Sequence, residues 1–111
     1  MTEYEDRLRS LALSDERFVR SVLGMDLDTV AASHLEPKTH ALVRLGAMLA
    51  TDTAQSSYQA SVEAALAAGA SLDEVVGTVI AAAPIVGLAR VVSAAPELAL
   101  ALGYDVDAAL E

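Results

Sequence analysis

Between Ser61 and Gly87 the chain reads SVEAALAAGASLDEVVGTVIAAAPIVG, and this run limits the fold more than any other. Apolar residues recur there at helical rather than alternating spacing, so each half predicts a helix and neither predicts a strand. Gly69 ends the first helix, because the residue past a helix end often takes a left-handed backbone that glycine adopts without strain. Ser71 and Glu74 stand at capping-box spacing and start the second. Alanine dominates both runs, and Ala60, Ala64 and Ala68 fall at i, i+4 and i+8, a face that a neighbouring backbone can approach closely. Nothing elsewhere alternates with a period of two over a useful length. An all-α chain follows.

The remaining helices are read from their ends. Thr2 caps a first helix whose apolar side is Tyr4, Leu8 and Leu11. Ser14 caps a second, DERFVRSVLG, with Asp15 and Glu16 favourably placed at its positive end and Gly24 as its stop. Residues 25–35 form a connector with one helical turn. Pro37 opens a third helix at the position where its missing N–H costs nothing. That helix runs to about Ala50 with Leu42, Leu45, Met48 and Leu49 on one broad face, and Val43 and Ala47 lie among His40 and Arg44 on the rest. So little polar surface predicts coverage on most sides. The fourth helix spans Gln55 or Ser56 to Ala68, and the fifth continues from its Ser71 cap to about Ala83. Pro84 and Gly87 loosen or kink the chain before a last helix over Leu88–Leu102, kinked or interrupted at Pro96 and ended by Gly103. About six helices, with an antiparallel hairpin at the centre, make a single domain over residues 1–111.

Composition narrows the partners. A chain of 111 residues only just buries an adequate core alone, and one Phe, three Tyr and no Trp leave few large anchors. Further burial between subunits, in a homo-oligomer, is therefore expected. Sixteen acidic residues against seven basic ones give a net charge of −9. Nucleic acid and anionic membrane surfaces are excluded as partners, since both are bound through clustered Lys and Arg. After residue 40 the only cations are Arg44 and Arg90. With no cysteine there is no disulfide, thiol nucleophile or Cys-ligated metal. The first residues, MTEYEDRLRS, contain no apolar leader segment, and the 15-residue uncharged run Val75–Ala89 is too short to span a bilayer. A cytoplasmic protein is expected.

The helix–glycine–capped-helix pattern resembles the carboxymuconolactone decarboxylase family, whose relatives include the alkyl hydroperoxidase D-like thiol enzymes. LEPKTHALVRLGAMLA is similar to the family's opening helix, GASLDEVVGTVIAAAPIVG to its central turn and helix, and LARVVSAAPELALALG to its closing helix. The family core thus covers about residues 35–102. The resemblance implies an alkyl hydroperoxidase D-like helical fold assembled as a trimer or hexamer. In the thiol-peroxidase branch a C-x-x-C-x-x-x-H pattern opens the fourth helix, its His eight residues before the glycine. Counting back from Gly69 places Ser61 at the His and Ser57 and Ala54 at the two Cys positions, with the proton-relay Glu falling near Ala41. The decarboxylase branch also uses a His at the Ser61 position. The chain therefore lacks the family motif, and a serine hydroxyl replaces a thiolate only where a base activates it. Thiol peroxidase activity is excluded.

The polar residues that remain define the candidate site. His40 and Arg44 lie one helical turn apart and can present a proton-transfer group and an anion clamp together. The bland alternative is that His40 packs near the helix start while Arg44 pairs with an acid across an interface. Ser57 and Ser61 either bond back to helix carbonyls or orient a substrate carboxylate or water. Tyr58 either donates into a pocket or belongs to the core. Arg90 forms an interface ion pair or binds an anion in a cleft. His34 is read as an exposed connector residue. The two histidines have no suitably spaced carboxylates, so no metal is expected, and neither a phosphate-binding glycine loop nor a G-x-S-x-G elbow is present. No cofactor is expected. One function compatible with these residues is a cofactor-free lyase or decarboxylase acting on a small carboxylated lactone, with His40 as acid or base, Arg44 as clamp, and Ser57, Tyr58, Ser61 and Arg90 contacting substrate. The competing one is a non-catalytic oligomeric scaffold or small-molecule-binding member of the family.

Overall fold

The computed structural model describes residues 2–13, 30–51 and 55–104. Among them are six helices and no strand: α1 Glu3–Ala12, α2 Val30–Ser33, α3 Pro37–Met48, α4 Gln55–Ala67, α5 Leu72–Val86 and α6 Leu88–Ala101. The all-α expectation holds. The helix expected after Ser14 lies outside the described residues, as does Ala54.

The chain forms two compact units, residues 1–35 and 36–111. In the first, Thr2 caps α1 and Glu5 returns the contact to the Thr2 backbone, a full capping box. Arg7 joins α1 to α2: its Nη2 donates to the Ala32 and Ser33 carbonyls, both at 2.8 Å, where a helix end leaves acceptors open. His34 is exposed, has a φ of 59°, and its Nδ1 lies 3.3 Å from Glu3 Oε1. Tyr4, Leu8 and Leu11, the apolar side of α1, are all exposed.

In the second unit α3 packs on α4 and α5, and α6 packs on α4 and α5. The core takes Leu45 and Leu49 from the end of α3, Tyr58, Val62 and Ala65 from α4, Val75 from α5, and Ala94 and Leu98 from α6. Leu45, Leu49, Val62 and Val75 are its largest fully buried side chains. Leu42 and Met48 pack partly against this core, whereas Val43 and Ala47 face outward. A Cβ at Gly46 would meet Thr78 Cγ2 of α5 at 3.5 Å, an ordinary van der Waals contact.

Both internal prolines are absorbed by helices rather than breaking them. Pro84 stands in the last turn of α5, and the ladder resumes after it with the Gly87 N–H donating to the Ala83 carbonyl at 3.0 Å. The helix therefore extends to Val86, past the expected end at Ala83. Pro96 likewise sits inside an unbroken α6. Each proline forfeits one ladder bond, a local cost that a packed helix tolerates.

The start of α5 is held electrostatically. Ser71 Oγ accepts from the Glu74 N–H at 3.0 Å while Glu74 Oε1 accepts from the Ser71 N–H at 2.9 Å. Lys38, in the first turn of α3, places Nζ 3.0 Å from the other Glu74 carboxylate oxygen. The Ser71 backbone hydrogen bond, then Lys38, hold the Glu74 carboxyl below its usual 4.5. A depressed folded-state value means that the ionised form stabilises the fold, fully above about 4.5 and progressively less as pH falls through the folded value. Glu74→Gln keeps an acceptor for Ser71 but loses the charge. Its melting temperature is expected to fall less steeply than that of wild type between pH 5 and 3, as calorimetric scans across that range would show.

Candidate functional site

His40, Arg44 and Met48 follow one another at four-residue spacing and form one row along α3. The row borders the side of the helix that packs into the core through Ala41, Leu45 and Leu49. His40, near its start, is 7% exposed and is the one buried polar residue among the described ones. Arg44 in the middle is partly buried and has neither a hydrogen-bond nor an ion-pair partner among the described residues. A guanidinium partly withdrawn from water favours an anion beside it.

Ser61, in the middle of α4, closes the far end of the row. Its hydroxyl donates to Met48 Sδ at 2.8 Å, a contact that the apolar reading of Met48 did not anticipate. A thioether is a weak acceptor, but it occupies the Ser61 proton all the same. His40 stands eight residues before Met48, roughly 12 Å along the helix. Ser61 and His40 are therefore not a nucleophile–base pair, which needs hydrogen-bond reach. The hydroxyl orients toward a neighbouring helix rather than toward its own helix carbonyls.

Ser57 is exposed on α4, and Tyr58 is buried in the core beside Val62. Arg90 lies exposed in the first turn of α6. The structure thus places His40 and Arg44 on one row of α3, with Met48 and Ser61 at its end. Among the described residues no group of three or more His, Cys, Asp or Glu could hold a metal ion, and no helix is long and apolar enough to cross a membrane.

A helix ended by Gly69, a capped restart at Ser71 and a core shared by α3, α4, α5 and α6 define an all-α domain without cysteine, whose candidate site is a polar row on α3. Residues 16–100 match the Carboxymuconolactone decarboxylase family, and the chain belongs to it. The match begins well before residue 35, where the resemblance read from the sequence started. Comparisons with curated proteins and with solved structures return no match.

Proposed function

We propose that this chain binds a small carboxylated molecule through Arg44, with His40 beside it as the proton-transfer group of a cofactor-free, lyase-type reaction. The observation that carries the reading is the partly buried Arg44, with no counter-ion among the described residues, one turn from a buried histidine. The guanidinium would clamp the carboxylate of a small lactone or enol-type acid by two parallel hydrogen bonds. The carboxylate would leave as CO2, its bonding electron pair would stay as an enolate on the carbon alpha to the carbonyl, and the protonated imidazole would give that carbon a proton. Because His40 is 7% exposed, substrate reaches it only if the row opens toward the ligand. The chain works in this account as a cytoplasmic homo-oligomer, a trimer or hexamer, and without thiol peroxidase chemistry, for which it has no cysteine.

The test is turnover of a muconolactone-type acid by wild type, His40→Ala and Arg44→Met. Loss of a proton-transfer group typically lowers the rate on the order of 100-fold or more. His40→Ala should therefore lose kcat, and Arg44→Met should chiefly raise KM. Activity that survives His40→Ala unchanged rules the reaction out.

A second reading, a non-catalytic scaffold, is favoured by one observation: the Ser61 hydroxyl is committed to Met48 instead of to a reacting group. It predicts no turnover by wild type and no ligand-dependent change in stability.

A further inference from the structure

We infer that the α3 row takes monocarboxylates and turns dicarboxylates away, with Arg44 clamping the single carboxylate and the apolar part of the ligand lying against Met48. The inference rests on the anion clamp proposed above and names the substrate class of that same site. The first observation is the supply of positive charge. Residues 36–111 hold three basic residues, Lys38, Arg44 and Arg90, against nine acidic ones. Lys38, the other cation of α3, is held 3.0 Å from Glu74 Oε2. Arg90 lies exposed on α6, which packs on α4 and α5. The proton of His40 is the one delivered to carbon in the proposed reaction, and a second carboxylate beside it would hold that proton back. Arg44 is left as the permanent cation of the row.

The second observation is the end of the row beyond Arg44. Met48 stands one turn further along α3 and brings a thioether, which accepts weakly and donates nothing. The Ser61 hydroxyl donates to Met48 Sδ at 2.8 Å, and the Thr51 hydroxyl donates to the Met48 carbonyl at 3.0 Å. A hydroxyl has one proton to give, so both of these are committed within the chain. A carboxylate brought to this end would lose water without charged donors to replace it. A methylene or vinyl group needs no donor and covers the partly buried Met48 without that loss.

Spacing and field act in the same direction. Residues four apart on a helix are about 6 Å from each other, so a small ligand held at Arg44 reaches Met48 with its other end. The excess of acids over bases in residues 36–111 repels an anion in proportion to its charge, and a dianion most. One clamp can offset that repulsion for one carboxylate. The discrimination comes from leaving the second without a partner.

Calorimetric titration at fixed salt, with a five-membered lactone carrying one carboxylate and the same ring carrying two, tests this on wild type, Met48→Lys and the exposed α4 control Gln59→Lys. Wild type should bind the monocarboxylate at least about tenfold more tightly than the dicarboxylate. Met48→Lys sets a cation one turn from Arg44 and should tighten the dicarboxylate by about tenfold or more, while the same charge at Gln59 should not. If Met48→Lys fails to fold, Ala47→Lys supplies the cation from an exposed position three residues from Arg44. A wild type that binds the dicarboxylate as tightly as the monocarboxylate overturns the inference and leaves the Arg44 clamp standing. So does a folded lysine variant of the row that gains no more than Gln59→Lys. If wild type binds neither probe, the clamp itself falls, and the inference with it.

Discussion

Leu45→Ala is expected to lower the folding free energy by about 3 kcal/mol, within the range of leucine truncations in closed cores. Leu45 is completely buried on the α3 face that packs on α4 and α5. Deleting its branch removes transfer free energy and leaves a void. Its surroundings can collapse little, because Ala41 and Ala65 are already as small as a side-chain-bearing residue allows. The control is Val43→Ala on the same helix, 57% exposed, which should stay within about 0.5 kcal/mol of wild type. Urea denaturation at one fixed protein concentration, so that association cancels, measures both. A Leu45→Ala cost below about 1 kcal/mol would place that side chain outside the core.

Gly87→Ala is expected to cost about 2 kcal/mol for a different reason. Gly87 joins α5 to α6 with φ 96° and ψ 147°, a region that L residues rarely enter. An added Cβ would touch nothing within 4 Å, so the loss is backbone strain rather than a clash. Gly46→Ala separates the two effects. It adds a methyl group inside a helix at ordinary contact distance from Thr78 Cγ2, and should be neutral or slightly stabilising. If both alanines behave alike in denaturation, the junction is not held in its left-handed geometry.

Much of the fold was legible because its signals are local. Pro37, Gly69, the Ser71–Glu74 box and Gly103 mark helix ends by what their own backbones can or cannot do, and the helices end within a few residues of them. Pro84 and Pro96 misled in degree, since tertiary packing carries a helix past a single missing ladder bond. The candidate site was half legible. The four-residue spacing of His40 and Arg44 put them on one row. That Tyr58 turns into the core while Ser57 turns out is a matter of helix rotation, which alanine-rich periodicity defines weakly. The Ser61–Met48 and Lys38–Glu74 contacts join different helices through their side chains, and no single-chain pattern announces them.

In the proposed function Arg44 supplies the anion-binding capacity of a family member that lacks the usual Cys and His. Calorimetric titration of a small lactone carboxylate into wild type and Arg44→Met, at low and at moderate salt, tests it most directly. The account predicts saturable binding to wild type, weakened at least about tenfold in Arg44→Met and less salt-sensitive in that variant. Equal affinity in the two proteins, or no binding to wild type, would contradict it.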